Sequence, residues 1–155
     1  MRSSTLTLAT LAASVFSLLL LAADTAPPNY SGVWQLEPEH SQVPAGETIT
    51  YNIQDSSGQV VFSRIIHERD GRQLTSHFSC KTGGGQCQFD EGGRKAQVSL
   101  WYDGPALVVL ETNTGDTSVT QWRLTMGPDG KTLNVEVEHL EPSDRTEKLV
   151  FAKKT

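Results

Sequence analysis

Cysteine is scarce in this chain: only Cys80 and Cys87 occur among 155 residues. Two thiols cannot complete a structural zinc site, and no histidine flanks them at ligand spacing. A redox role would want a tight Cys-x-x-Cys at a helix start, which is missing too. Basic runs are also absent, and the formal net charge is −5. That balance argues against nucleic acid or an anionic membrane surface as a partner. No segment sustains an apolar i, i+3, i+4, i+7 stripe, apart from one helical turn at "EPEHS" (37–41). Catalytic patterns are missing as well. The stretch "HERDGRQLTSH" has a His-Glu pair, but zinc-protease chemistry needs two histidines four apart on a helix. Here Asp70-Gly71 breaks any helix, and His77 lies far beyond His67. No serine sits in the strand-turn-helix setting of a nucleophile elbow, and no helix follows the glycines of "TGGGQ" to make a phosphate loop. The expectation is a protein without catalysis, metal or cofactor.

What is present begins with an export pattern. Met1 and Arg2 form a short positive region, and "LATLAASVFSLLLLAA" (8–23) is an apolar core. "ADTA" then supplies small residues for a cut after Ala23 or Ala26. Residues 1–26 read as a signal peptide, with an uncleaved N-terminal anchor as the alternative and the sole expected contact with a membrane. The protein is expected to be exported, periplasmic or extracellular. Residues 27–155 then form a single domain of about 130 residues, enough for one modest core. In an oxidising compartment, Cys80 and Cys87 form one disulfide clasping the glycine-rich "SCKTGGGQC".

The domain reads as strands and turns. "DSSG", "RDG", "TGGG", "DEGG", "YDGP", "NTGD", "GPDG" and "PSD" punctuate it, at the spacing of about 8 to 14 residues that marks an antiparallel meander. Between them lie short stretches rich in Val, Ile, Thr and aromatic residues that alternate in polarity. "QVVFSRII" places Val60, Phe62, Arg64 and Ile66 on one face; "QLTSHFSC" places Leu74, Ser76, Phe78 and Cys80 on one face. A three-residue loop with Gly71 left-handed sets Phe62 against Phe78 and Arg64 against Ser76. A two-residue loop would turn these apolar faces apart. Downstream, Ala96, Val98, Leu100 and Tyr102 share a face. So do Ala106, Val108 and Leu110, then Trp122, Leu124 and Met126, and then Leu133, Val135, Val137 and His139. The fold class is all-β: an antiparallel up-and-down meander of 8–9 strands, closed into a barrel that removes sheet edges. A β-sandwich is the alternative, though short sequential turns favour the barrel.

The stretch "NYSGVWQLEPEHS" (29–41) opens the domain with Gly-x-Trp at its first strand. With the later "WRLTMGPDGKTLNVEVE", it resembles lipocalin-like proteins of the calycin superfamily, in particular small exported bacterial barrels of uncharacterised role. The resemblance implies that Trp34 lies across the closed end of the barrel and that Gly32 permits close approach there. In this superfamily an arginine of the last strand stacks on the tryptophan; here Lys148, Lys153 and Lys154 stand in that region instead.

The candidate ligand-binding residues are the inward Phe62, Arg64, Ser76, Phe78, Trp122 and His139. An inward guanidinium must be satisfied, either by a glutamate near the mouth or by the carboxylate of an acidic ligand. The expected function is binding of a small apolar or fatty-acid-like ligand inside the barrel. The alternative is a non-catalytic envelope interaction or inhibitor-type module with a barrel filled by side chains and the arm "ADTAPPNY" as its reach.

Overall fold

The computed structural model describes residues 26–155; the segment read as a signal peptide lies almost wholly outside the described residues. Ten strands follow one another: β1 (Gly32–Leu36), β2 (Thr48–Ser56), β3 (Gln59–His67), β4 (Gln73–Lys81), β5 (Gly83–Glu91), β6 (Arg94–Asp103), β7 (Ala106–Asn113), β8 (Val119–Met126), β9 (Thr132–Glu141) and β10 (Arg145–Lys153). Each pairs antiparallel with its sequence neighbours, and β1 pairs with β10 to close the ring. The barrel, not the sandwich, is the fold. Closure leaves none of the described strands at an open sheet edge, which is what a chain of short alternating strands needs in order to avoid edge-to-edge association.

The β3–β4 hairpin has the expected register. Phe62 faces Phe78, Arg64 faces Ser76 and Val60 faces Cys80. Gly71 adopts φ +85°, the left-handed conformation that the three-residue loop requires. "EPEHS" also forms its turn, a 3-10 helix over Pro38–His40.

The count is ten strands, where eight to nine are expected, because one connection, with its turn at Ala45-Gly46, is not among the turn signals read from the sequence. β1 and β2 are joined by that 3-10 helix and a turn at 45–46, so the interval before "DSSG" holds two strands. The "TGGG" stretch is also more than a loop. Gly83 to Gly85 lie within β5, where a bulge between Gly83 and Gln86 shifts the pairing with β6. On its other side β5 meets β4 in ladder pairing only at Ser76–Glu91 and His77–Asp90. The Cys80–Cys87 disulfide, with Cα atoms 5.6 Å apart, continues that pairing where the hydrogen bonds lapse. It is a covalent rung in the seam with the fewest ladder pairs.

One face assignment is corrected. On β7 the inward side chains are Leu107, Val109, Glu111 and Asn113, opposite Tyr102, Leu100, Val98 and Ala96 of β6. Ala106, Val108 and Leu110 lie on the opposite face of β7, with Ala106 and Val108 still buried there. "ALVVL" is apolar on both faces, so alternation carries no parity there. The slip matters because it moves Glu111, 6% exposed, from the outer surface into the barrel.

Candidate functional site

The two ends of the lumen are built differently. At one end Trp34 is fully buried, and its indole Nε1 donates to the Tyr30 carbonyl at 3.0 Å. Tyr30 plugs the same end, its hydroxyl 2.6 Å from the Pro105 carbonyl and 3.0 Å from that of Leu124. Asp55 accepts from the Tyr30 amide at 3.0 Å and from the Tyr102 hydroxyl at 2.7 Å. Burial and the neighbouring Asp55 carboxylate push the Tyr102 hydroxyl well above its ordinary pKa. Lys153 of β10 lies opposite Trp34 and sets its Nζ 5.1 Å from the indole centroid, close enough for a cation–π contact. Gly32 makes this possible. Its φ is +149°, and a Cβ there would come within 2.5 Å of Lys153 Cε. Gly32 and Trp34 thus lie together at this end of the barrel, beside Lys153. The end of the "ADTAPPNY" segment, in turn, belongs to the barrel rather than to a free arm.

Across the middle of the lumen runs a layer of aromatic rings. Tyr51 packs on Phe151 at 4.3 Å and on Phe62 at 4.9 Å. Phe62 stacks on Phe78 at 5.1 Å and meets Trp122 at 5.7 Å; Phe89 joins through Phe78 and Trp122. These rings are almost wholly buried, so the barrel is filled from this layer to the closed end.

Above the layer the opposite end stays open as a cup of about 310 Å³. Ile49, Ile66, Val137 and Leu149 give it apolar wall, Tyr51 and Trp122 give it floor, and the β9–β10 turn at Pro142–Ser143 forms part of its rim. Of the six candidate residues, Arg64, Trp122 and His139 line this cup. Phe62 and Phe78 lie within the aromatic layer. Ser76, 1% exposed, sits behind Arg64 and accepts from its Nε at 3.3 Å.

Arg64 is satisfied from inside the protein. Its guanidinium pairs with Glu91 and lies 4.7 Å from the Trp122 ring centroid. Arg94 extends the chain, reaching Glu91 at 2.9 Å and Glu111 at 3.3 Å. The burial of Glu91 is the largest single influence on its carboxyl and pushes its pKa up. Arg64, through charge and hydrogen bonding, together with Arg94 outweighs it, so the net direction is down. Glu111 goes the other way. Desolvation dominates and raises its pKa, against the attraction of Arg64 and Arg94. Glu47, also in the cup wall, is raised by burial and by the neighbouring charges of Glu68 and Glu147. His139 sits at the rim, 3.3 Å from an Arg145 nitrogen and 3.6 Å from Glu147.

Sequence reasoning missed Glu47, Glu91, Arg94, Glu111 and Glu147. Glu111 was hidden by the parity of β7. Glu91 and Arg94 flank the "DEGG" turn, where charged residues ordinarily read as solvated. Only the demand of Arg64 for a partner pointed inward to a glutamate at the mouth.

No protein-family model matches the chain, and no curated protein is similar to it. The fold defines a closed, all-antiparallel β-barrel, compatible with a lipocalin-like architecture, with one end sealed and one end cupped.

Proposed function

We propose that this protein is an exported, non-catalytic binding barrel of lipocalin-like type whose mouth holds a small ligand with an apolar body. The observation that carries this reading is the cup of about 310 Å³ on a closed aromatic floor, with Ile49, Ile66, Val137 and Leu149 in a wall that also carries charged groups. Ligand sites are concave and largely apolar, with a few polar groups that fix orientation. The filled lower lumen restricts the ligand to the mouth, so a long fatty-acyl chain running the length of the barrel does not suit it. The Cys80–Cys87 bond supports an oxidising, exported setting. A second reading, an interaction module of the envelope, draws on the same filled lumen and on exposed Val33 and Leu140.

Native mass spectrometry of protein purified from its own host's envelope tests the first reading. A reproducible added mass, removed by organic extraction, is the expected result. A bare mass with a proteinaceous companion would transfer the function to the second reading. A bare mass alone would leave neither supported.

A further inference from the structure

Arg64 is the obvious receptor for an anionic head group, yet its guanidinium is already engaged by Glu91 and Ser76 and covered by Trp122. Arg94 is divided between Glu91 and Glu111. The cup therefore offers an acidic ligand no free cation among these two. What it offers instead is acceptors that face the cavity. The Glu111 side chain is 8% exposed, and its one hydrogen bond among the described residues is the 3.3 Å contact from Arg94. Glu47 makes no ion pair among the described residues, and Glu147 stands near it. On the floor Tyr51, 2% exposed, lines the cup, and its hydroxyl takes no hydrogen bond among the described residues.

Polar groups that lack a protein donor rely on solvent or a ligand for their hydrogen bonds, and here Glu47 and the Tyr51 hydroxyl turn to one cavity. A ligand that supplies donors or positive charge would relieve them together; a carboxylate would add repulsion in a medium of low dielectric.

We infer that the mouth cup of this barrel takes a small organic cation, an ammonium group on an apolar body, with Glu47, Glu111 and the Tyr51 hydroxyl receiving the head and Ile49, Ile66 and Leu149 the body. This rests on the binding reading above and assigns its ligand class. An ammonium is a compact charge with up to three donors, which suits acceptors set around a cup. The aliphatic wall rewards the body by burial of apolar area. Glu141 at the rim adds a further carboxylate to the entry, so a cation is also favoured on approach.

The test uses three probes with one tail: n-octylammonium, octan-1-ol and octanoate, titrated into the purified protein by calorimetry at neutral pH and low salt. The expected order is ammonium tightest, by about tenfold or more over octanoate, with the alcohol between them. Glu47→Gln, at the wall, and Glu111→Gln, inside it, are each expected to reduce that preference severalfold, with a smaller change in octanol affinity than in that of the ammonium. Octanoate binding as tightly as the ammonium would overturn the head-group inference and leave the cup as a ligand site. Octanol binding well and the ammonium not at all would do the same. No binding of any probe would overturn the cup reading itself, and the inference with it. An ammonium preference that survives both substitutions would place the cation elsewhere and also overturn the assignment.

Discussion

The sealed end of the barrel and its mouth contain similar residue types in opposite conditions. At the sealed end the Tyr30 hydroxyl, the Tyr102 hydroxyl, the Trp34 indole N–H and the Asp55 carboxylate all have protein partners within 3.0 Å. At the mouth Tyr51 carries a hydroxyl without a partner among the described residues, and Glu111 is buried with one long contact there. Completed polar networks rigidify a core, whereas incomplete ones cost stability and persist where function uses them. The difference therefore separates the two tasks in space: one end holds the fold and the other keeps acceptors available.

The largest test of that division is at the sealed end. Trp34→Ala removes a fully buried indole, with its hydrogen bond to Tyr30 and its contact with Lys153. A loss of about 3 to 5 kcal/mol is expected for a large-to-small core change. Denaturant titration measures it, and the binding proposed for the mouth should survive in the folded fraction. A melting shift near zero would mean that Trp34 does not hold this end.

Next in size is Glu91→Gln, which strands the Arg64 guanidinium among aromatic rings. Breaking one member of a buried pair costs about 3 kcal/mol or more, and Arg64 and Glu91 are 15% and 12% exposed. Adding Arg64→Met to that variant should recover most of the loss, since no uncompensated charge then remains. The pH dependence has a definite sign. The folded carboxyl of Glu91 lies below its ordinary pKa, so its contribution is present above the usual carboxylate range. It is lost as pH falls through the folded value. Glu91→Gln should remove that part of the acid sensitivity, which thermal melts between neutral and acid pH would show.

The β4–β5 seam comes third. The disulfide closes a ring whose ends are 7 residues apart in sequence, and such a constraint contributes about 2 to 3 kcal/mol on the chain-entropy account. Reduction, or Cys80→Ser with Cys87→Ser, should lower the melting temperature by that equivalent and keep the β-sheet signal in circular dichroism. Hydrogen exchange should rise first in β5, which has two ladder pairs to β4 and a bulge against β6. Uniform exchange across the barrel would show that the seam is no weaker than the rest.

The fold was legible wherever polarity alternated and turns were explicit. "QVVFSRIIHERDGRQLTSHFSC" carries both signals, and its pairing follows residue by residue in the structure. Legibility failed in two physical situations. "ALVVL" is apolar on both faces, so its parity was open and Glu111 went unnoticed. β1 and β2 are linked by a proline-led 3-10 turn and then by "PAGE", whose Gly46 turns at φ +86° without an Asp or Asn beside it to signal a hairpin. For the site, the inward position of Arg64 followed from alternation, and its need for a partner followed from the cost of a buried charge. Which glutamate would supply the partner did not follow. Glu91 meets Arg64 across a strand boundary and 27 residues of chain, set by closure of the barrel rather than by any local pattern. The cup could not be foreseen for the same reason: its depth depends on where the aromatic rings from six strands meet.

The smallest expected effect has the opposite sign and separates the two ends most sharply. Glu111→Gln removes a carboxylate that desolvation disfavours, though Arg64 and Arg94 attract it and Glu91 and Asp116 oppose it. Its folded pKa is raised, so the fold prefers this group neutral. Stability should therefore improve as pH falls through the folded value toward the unfolded one, the reverse of Glu91. At neutral pH the neutral amide avoids that cost, and a gain on the order of 0.5 kcal/mol is expected. The gain over the native protein should shrink on acidification, as the native carboxyl takes up its proton. Melting curves of the two proteins across that range measure it. A loss of several kcal/mol at neutral pH would instead make Glu111 a structural partner of Arg94, and the mouth as thoroughly satisfied as the sealed end.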